Sequence, residues 1–452
     1  MMRLLNLFRR HKTFSHGGIH PLEYKERTAG LAIRRLPFAP RIVVPLAQHK
    51  GAPAVPLVTV GQQVVRGEPI AGADGHVSVP MHAPATGRIA AIDLWPTAEG
   101  PKAPAIVIEV SQAANQAVLY DEPVDILALS REEIVQAVKD AGLVGLGGAA
   151  FPSHVKLAAP PDKPIRTLLI NGCECEPYLT CDHRVMLEKT EALLHGIRIV
   201  MHATGAERAL IGVEDNKMDA VRAIADKLAD DGPISVHAVE AKYPQGAEKM
   251  LIESLLGEQI PEGGLPLDLG VAVYNVGTLA QMGELLPLGR GLIERVVTVS
   301  GPAVVHPGNY LVPIGTPVGF LLQQVGADAA ANEVILGGPM MGMTVASLDV
   351  PVTKGVSGIV VYAAGDADQQ PRTVYPCIKC SRCVEVCPMH LNPSMLGQLA
   401  QKREYGRMEQ EHHLSQCFEC GCCAYVCPSN IPLTQYFRIA KAINRETPAV
   451  AV

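Results

Sequence analysis

The chain has 452 residues, more than one hydrophobic core usually serves, so about three to five domains are expected. Apolar residues make up 48% of it and charged residues only 19%, a low charged share that is compatible with surfaces covered by partner proteins. The formal net charge is −6 and no long basic stretch is present, so the composition argues against nucleic acid as a partner.

The N-terminal segment comprises residues 1–29. Its stretch 3–12 is basic and partly amphipathic, and it fits either a solvated tail or a contact with an anionic membrane surface. The start lacks the apolar core of a signal peptide, and no run of about 18 apolar residues occurs. The expected location is therefore the cytoplasm, without a membrane span.

Short Val- and Ile-rich runs cut by Pro and Gly predict an all-β domain over residues 30–117. The segments that start at Val60 and Met81 resemble biotinyl/lipoyl-like barrels, which have a barrel-sandwich fold. Those carriers place a modified lysine on a hairpin, whereas Ser78–Thr86 contains no lysine, so this domain is interpreted as a scaffold. The predicted strands are Arg41–Pro45, Val55–Val60, Gly75–Pro80, Gly87–Ile92 and Ala105–Val110.

Strand and helix patterns alternate over residues 118–292, which predicts a Rossmann-like α/β domain with a parallel sheet. Ser130 and Glu133 have the spacing of a capping box at its first helix. Ligands of such sheets bind beyond the carboxyl ends of the strands. The further predicted elements are the strands Thr167–Asn171, Ala209–Glu214 and Ile234–Val239 and the helices Val185–His202 and Met218–Ala229.

Two smaller domains are predicted after residue 292. Residues 293–364 combine short strands with one helix, which indicates a small α+β domain, and residues 365–452 begin with a polar linker at 365–376. The elements predicted in the first are the strands Val296–Ser300, Val334–Leu336 and Ser357–Tyr362 and the helix Val318–Val325. Those predicted in the second are the helices Ser394–Arg403 and Thr434–Asn444.

Two cysteine runs of identical spacing, C-x2-C-x2-C-x3-C-P, occupy the last domain. Such spacing lets three thiolates cover one face of a cubane, and in two-cluster ferredoxins the fourth Cys serves the other cluster. The runs therefore predict two [4Fe–4S] clusters. The first would be held by Cys377, Cys380, Cys383 and Cys427, and the second by Cys417, Cys420, Cys423 and Cys387.

Zinc is the alternative occupant, although its sites usually use two cysteine pairs set apart by a longer loop. Cys422 breaks the spacing and is interpreted as a thiol that binds no iron. The residues between the two runs favour helix, which resembles the helical two-cluster module of respiratory and heterodisulfide-type enzymes.

A glycine-rich loop covers residues 142–156. Its glycines would let backbone N–H groups approach a phosphate, and its lysine adds a positive charge. The loop follows a helix rather than a strand, so it differs from the ordinary dinucleotide fingerprint, and a plain loop is the alternative. The residues concerned are Gly145, Gly147, Gly148 and Lys156.

Together with the segments at Asn171, Tyr243 and Asn275, this loop resembles the flavin- and NADH-binding subunit of respiratory complex I, the 51-kilodalton family. The resemblance implies a cofactor-binding set that includes Tyr243. Its FMN-binding members would be Gly145, Gly147, Gly148, Lys156, Asn171, Asn275 and Thr278. Those facing NADH would be Phe151, Glu174, Glu176 and Glu248.

Four positions depart from the pattern of that family. Leu146 stands for an Arg, Cys173 for an acidic residue, Ala247 for a Glu and Tyr274 for an Asn. Three further cysteines beside this site are one short of a four-cysteine cluster and are interpreted as structural or flavin-adjacent thiols. They are Cys173, Cys175 and Cys181.

The whole chain resembles the RnfC family, the C component of the Rnf electron-transport complex. The order matches: the start Phe14-Ser-His-Gly-Gly-Ile-His-Pro, the barrel, the 51-kilodalton-like domain, a soluble-ligand-binding β-grasp domain and the ferredoxin runs. The β-grasp match depends on Val299-Ser-Gly-Pro-Ala and Gly337-Gly-Pro-Met-Met-Gly.

This resemblance implies a peripheral subunit on the cytoplasmic face of the inner membrane. It would take electrons from NADH through FMN to two [4Fe–4S] clusters in an ion-translocating NADH:ferredoxin oxidoreductase. Its partners would be the membrane subunits of the complex and its ferredoxin-like B component, with ferredoxin reached indirectly.

Two other functions are kept as hypotheses. The departures at Leu146 and Cys173 favour an electron-wiring adaptor without its own NADH site. The third hypothesis is a soluble flavin subunit associated with a hydrogenase or a dehydrogenase.

Overall fold

The computed structural model describes residues 12–160, 162–230, 232–327, 333–363 and 373–446. Residues 3–11 of the basic N-terminal stretch and 365–372 of the predicted linker lie outside the described residues. Within the described part of the chain, no helix is both long and apolar enough to cross a membrane.

The first folded unit is a pair of antiparallel sheets, preceded by the strand β1 (Arg34–Arg35), which joins a later sheet. Its strands are β2 (Arg41–Pro45), β3 (Val55–Pro56), β4 (Gln63–Val64), β5 (Pro69–Gly72), β6 (Met81–His82), β7 (Gly87–Trp95) and β8 (Ala103–Val110). They pair in the orders β2-β8-β7-β4 and β3-β5-β6. Alternate residues of β8, such as Ile106 and Ile108, point into one core that both sheets share.

The predicted strand Gly75–Pro80 is wrong. This segment forms a turn, because the Ser78 hydroxyl accepts a 3.0 Å hydrogen bond from the Asp74 N–H, and Gly75 has a φ of 81°. The other four predicted strands are present, although the strand that starts at Val55 ends after two residues.

The second unit contains a four-stranded sheet whose neighbouring strands are all parallel, as predicted. Its strands are β9 (Thr167–Gly172), β10 (Arg208–Glu214), β11 (Ile234–Val239) and β12 (Val271–Asn275). Its helices are α1 (Arg131–Asp140), α2 (Ser153–Leu157), α3 (Cys181–Glu188), α4 (Thr190–Thr204), α5 (Met218–Ala225), α6 (Glu248–Leu256) and α7 (Val276–Leu285). The strand order is β11-β10-β9-β12, and β9 is buried along almost its whole length because helices cover both faces.

The predicted helix Val185–His202 is in fact two helices, which meet at Lys189. The φ of Lys189 is −123°, outside the helical range, and the Thr190 hydroxyl donates a 2.6 Å hydrogen bond to the Met186 carbonyl. The capping box at the start of α1 is confirmed, with Ser130 and Glu133 bonded to each other's backbone N–H groups.

Helices α4 and α7 pack with their backbones in direct contact. A Cβ on Gly196 of α4 would overlap the Leu279 carbonyl oxygen, and a Cβ on Gly283 of α7 would overlap the Ala192 carbonyl oxygen. Only glycine allows this close approach. The contact fixes α7, which begins at the carboxyl end of β12.

The third unit is a mixed sheet with one helix. Its elements are β13 (Glu294–Ser300), β14 (Gly308–Pro313), α8 (Val318–Gln324), β15 (Glu333–Leu336), β16 (Met343–Thr344) and β17 (Gly358–Tyr362). The order is β1-β14-β13-β17-β15-β16, with β1–β14 and β13–β17 parallel and the other pairs antiparallel. This confirms the predicted α+β class, and the β-grasp assignment stays a prediction.

The fourth unit contains helices and, among its described residues 373–446, no strand. Its helices are α9 (Arg382–Glu385), α10 (Pro393–Gln401), α11 (Tyr405–Gln410), α12 (Cys422–Tyr425) and α13 (Leu433–Glu446). Apolar residues of α10 and α13, including Leu396 and Phe437, form its core. It also contains the short 3-10 helix Leu414–Gln416, and short 3-10 helices in the other units are Ile126–Ala128, Asp215–Lys217, Pro266–Leu269 and Leu286–Leu288.

The α4–α7 contact provides a test of this packing. We expect Gly196→Ala to destabilise the protein by about 1–3 kcal/mol, because the new methyl group must push the two helices apart. The measurement is the midpoint of thermal unfolding. Gly30→Ala is the matched control, since a Cβ there meets nothing within 4 Å. Equal midpoints for the two variants would contradict the packing.

Candidate functional site

Two carboxamides mark the carboxyl edge of the parallel sheet. Asn171 lies near the end of β9, where its Nδ2 donates to the Gly246 carbonyl at 2.7 Å. Asn275 ends β12 and caps α7, with its Oδ1 accepting from the Thr278 N–H at 3.2 Å. Its Nδ2 donates to Asp182 at 2.6 Å. Both carboxamides are partly accessible and lie where parallel sheets bind ligands.

The glycine-rich loop closes over this edge. The Gly145 N–H donates to the Phe151 carbonyl at 2.9 Å, which folds the loop back on itself. Gly147 approaches Asn275 so closely that a Cβ would lie 3.3 Å from the Asn275 side chain. Gly148 has a φ of 109° and faces open space. The tip of the loop therefore exposes backbone that a side chain would cover or strain.

Two charged side chains lie beside the loop. Lys156, on α2, donates to the Val273 carbonyl at 3.1 Å and lies 3.4 Å from the carboxylate of Glu248, the first residue of α6. Both side chains are more than one third exposed. An accessible ammonium group beside exposed glycine backbone is a suitable pair of partners for a phosphate.

Burial distinguishes Leu146 from its neighbours in the loop. Its N–H donates to the Thr278 hydroxyl at 2.8 Å, and its carbonyl accepts from Arg295 at 3.1 Å. Leu146 thus anchors the loop from inside. The sequence interpretation missed Arg295, although a lone Arg within a Val-rich strand is a signal for a buried cation with a structural partner.

Most of the predicted cofactor-binding residues converge at this edge. The structure brings together Gly145, Gly147, Gly148, Phe151, Lys156, Asn171, Glu248, Asn275 and Thr278. They fit FMN chemically, because they combine exposed backbone, one ammonium and two carboxamides. Their roles in binding stay predictions.

Two predicted carboxylates bond to the protein's own backbone. Glu174 is buried and accepts from the Asp182 and His183 N–H groups, at 2.9 and 3.2 Å, at the start of α3. Glu176 accepts from the Met340 and Met341 N–H groups at 3.0 and 2.8 Å. Burial raises the pKa of Glu176 to about 7. The predicted NADH contacts of both residues stay predictions.

Tyr243 lies at the boundary with the helical unit rather than at the open edge. Its hydroxyl donates to the Cys420 carbonyl at 2.7 Å, and its side chain is 2% exposed. It packs with Ile19 and Cys422, and Cys175 and Val386 border the same apolar cluster. This predicted cofactor residue therefore connects the α/β unit to the second cysteine run.

The eight predicted cluster cysteines line two cavities. One, of about 510 Å³ with its solvent-open space, is lined by Cys377, Cys380, Cys383 and Cys427, and we call it the outer cavity. The other, of about 380 Å³, is lined by Cys387, Cys417, Cys420 and Cys423, and we call it the near cavity. Each cavity draws its fourth cysteine from the other run, which is the grouping predicted from the spacing.

The backbone has the same form in both runs. Left-handed residues occur at equivalent positions, Lys379 and Ser381 in the first run and Glu419 and Gly421 in the second. The short helices α9 and α12 follow at equivalent positions. The two halves of the helical unit are therefore structural repeats, which explains why their fourth cysteines can be exchanged.

Each cavity offers the ligand set of a cubane. Four cysteines line it, and a [4Fe–4S] cluster is held by four Cys thiolates. Among the described residues, no group of three or more His, Cys, Asp or Glu side chains is arranged around a single metal ion.

Of the other four cysteines, Cys173, Cys175 and Cys181 line neither cavity. Cys173 contacts the Gly212 carbonyl at 3.6 Å, and Cys181 contacts Glu174 at 3.3 Å. Burial raises the pKa of the Cys173, Cys175 and Cys181 thiols, which keeps them protonated at neutral pH. Cys422 borders the near cavity, but its side chain packs in the apolar cluster around Tyr243.

Family models match four parts of the chain. The RnfC barrel sandwich hybrid domain matches residues 13–113 and the Nuo51 FMN-binding domain matches residues 138–284. The SLBB domain matches residues 296–344 and the 4Fe-4S dicluster domain matches residues 376–431.

Curated relatives align with nearly the whole chain. The C component of the proton-translocating ferredoxin:NAD(+) oxidoreductase complex of Clostridium ljungdahlii is 42% identical over 95% of this chain and 93% of its own length. Its Na(+)-translocating counterpart from Acetobacterium woodii is 40% identical over 88% and 90%. The C component of the ion-translocating oxidoreductase complex of Pseudomonas aeruginosa is 43% identical over 95% of this chain and 55% of its own length.

Two similar solved structures are crystal structures of NAD+-reducing [NiFe]-hydrogenase. The H2-reduced form has a TM-score of 0.49 and 19% identity, covering 72% of this chain and 69% of that chain. The air-oxidised form has a TM-score of 0.47 and 22% identity, covering 62% and 54%.

The exchange of fourth cysteines can be tested with single substitutions. We expect Cys427→Ala and Cys377→Ala to alter the same cluster signal in electron paramagnetic resonance spectra. Cys387→Ala and Cys417→Ala should both alter the other cluster signal. Cys422→Ala is the control and should leave both signals unchanged. A shared signal for Cys427→Ala and Cys417→Ala would contradict the grouping.

The open edge can be tested by flavin titration. We expect Lys156→Ala to raise the Kd for FMN by about tenfold or more, because a hydrogen bond to a charged group typically contributes about 1.5–3 kcal/mol. Lys163→Ala is the matched control, since Lys163 is half-exposed and pairs with Asp268 at 2.6 Å away from this edge. An unchanged Kd for Lys156→Ala would place the phosphate elsewhere.

Proposed function

The chain belongs to the RnfC family, and from this we propose that it is the NADH-oxidising subunit that feeds electrons into an ion-translocating ferredoxin:NAD+ oxidoreductase complex. One observation carries the proposal. A flavin-type edge and two four-cysteine cavities occur in one chain, and the bond from Tyr243 to Cys420 joins the units that hold them.

The residues at the open edge would each do part of the binding. The Lys156 ammonium would offset the charge of a flavin phosphate, and Gly148 would present its N–H without a covering side chain. Asn171 and Asn275 are held by the bonds to Gly246 and Asp182 and would bind polar ring atoms in a fixed orientation. Bound FMN would supply the exchange between hydride chemistry and single-electron chemistry.

The two cavities have different surroundings, which suggests the order in which they serve electron transfer. The near cavity adjoins Tyr243 and the α/β unit. The outer cavity is closer to solvent, because Cys377 and Cys380 are exposed and Ile378 between them is 67% exposed. Electrons would therefore enter at the near cavity and leave at the outer one toward a partner protein.

The wider assignment follows from the family. The partners would be the membrane subunits of the complex and its ferredoxin-like B component, with ferredoxin reached through them. The protein would be a peripheral subunit on the cytoplasmic face of the inner membrane. The absence of a spanning helix among the described residues is compatible with this assignment.

A second function is favoured by one observation. Glu174 and Glu176, the residues expected to face NADH, bond to backbone N–H groups of the protein itself. An electron-wiring adaptor that receives electrons from a separate flavoprotein needs no NADH contacts, so this arrangement also suits that role.

Stopped-flow mixing separates the two functions. We expect anaerobic NADH to bleach the flavin absorbance of FMN-loaded protein, followed by the cluster absorbance. Protein prepared without FMN is the control, and its clusters should respond to dithionite but not to NADH. Bleaching only after a partner flavoprotein is added would support the adaptor and contradict NADH oxidation by this chain.

A further inference from the structure

The N-terminal motif Phe14-Ser-His-Gly-Gly-Ile-His lines neither cysteine cavity, yet it contacts both the α/β unit and the helical unit. On the α/β side, the Ile19 N–H donates to the Tyr243 carbonyl at 2.8 Å, and the Tyr243 N–H donates to the Ile19 carbonyl at 2.9 Å. Phe14 is fully buried, and the Lys242 ammonium lies 4.0 Å from the centre of its ring. The motif is thus fixed on the α/β unit like an added strand.

The same motif contacts the first cysteine run. The Gly18 N–H donates to the Val386 carbonyl at 2.9 Å. The ring of His16 stacks on that of His390, with 4.0 Å between their centres. These contacts lie on both sides of Cys387, the residue that the first run contributes to the near cavity.

The two glycines of the motif are required by space as well as by conformation. Gly17 has a φ of 70°, and a Cβ there would lie 2.8 Å from the carbonyl carbon of Cys387. Gly18 has a φ of 84°, and a Cβ there would lie 2.9 Å from the Tyr243 carbonyl oxygen. Backbone from three segments therefore meets within van der Waals distance.

Both loops that form the near cavity are fixed at this point. Residues 16–18 hold the loop that contains Cys387, and Tyr243 holds the loop that contains Cys420 through its hydroxyl. Ile19 and Tyr243 pack together with Cys422 in a buried apolar cluster. These contacts therefore help to set the position of the near cavity relative to the α/β unit.

We infer that residues 16–19 are positioning residues for electron transfer, which hold the near cluster at a fixed distance from the flavin edge. The inference rests on the proposed function, because it presumes a flavin at that edge. Electron transfer between two centres slows steeply as their separation grows, so a small displacement of the cysteine loops is enough to slow it. None of these residues needs to touch a cofactor to have this effect.

The test uses flash photoreduction of bound FMN in the full chain, which delivers electrons without NADH. We expect Gly17→Ala to slow cluster reduction by about tenfold, because an ångström-scale displacement of a reacting group costs rates of this order or more. Iron and FMN contents and the rate of cluster reduction by dithionite should remain as in the wild type. Those readouts separate positioning from a loss of folding.

Two further variants complete the design. Gly75→Ala is the matched control, because Gly75 has a φ of 81° and a Cβ added there would meet no atom within 4 Å. This substitution therefore strains the backbone without displacing a neighbouring segment. His16→Ala removes the stacking on His390 without a new clash and should slow cluster reduction to a smaller extent. It tests the inference even if Gly17→Ala loses its cofactors.

The outcomes are distinguishable from those of the proposed function. The inference would be overturned if the clusters of His16→Ala and of cofactor-loaded Gly17→Ala were reduced at the wild-type rate. It would also be overturned if Gly75→Ala slowed cluster reduction as much as Gly17→Ala does. Another outcome is that NADH fails to reduce the flavin of the wild-type protein while electrons from the photoreduced flavin still reach the clusters. That result would contradict NADH oxidation by this chain and would leave the positioning role intact.

Discussion

The hydrogen bond from the Tyr243 hydroxyl to the Cys420 carbonyl lies where the α/β unit meets the helical cysteine unit. An electron path through one chain requires its centres to be held at short and constant distances, and this bond lies within a buried apolar cluster. Because Tyr243 also pairs with Ile19, the same residue fixes the N-terminal motif.

Buried cations bonded to backbone carbonyls connect the other domains. Lys354 of the mixed-sheet unit donates to Pro80 of the barrel at 3.0 Å and to Gly142 of the α/β unit at 2.6 Å. Lys25 of the N-terminal segment donates to the Glu174 carbonyl at 2.7 Å. A buried charge is costly without partners, so these bonds fix the domain arrangement. Burial lowers the pKa of Lys354 to about 7.

The helical unit is a structural repeat whose two similar cavities lie in different environments. Its halves share cysteine spacing and left-handed backbone positions. Their surroundings differ, because the near cavity adjoins the α/β unit and the outer cavity has exposed cysteines. A direction for electron flow can thus arise from where the repeat is attached rather than from its own sequence.

Ligand spacing and strand–helix alternation are local patterns, so the amino-acid sequence was enough to predict how the cysteines group, the parallel sheet and the position of Asn171 at its carboxyl edge. The strand that ends at Asn275 was found only in the structure. The bond from the Met340 N–H to Glu176 and the contact of Tyr243 with the second cysteine run could not be predicted from local patterns. These contacts join segments far apart in the chain, and whether a polar side chain faces a ligand or its own backbone depends on which segment packs against it.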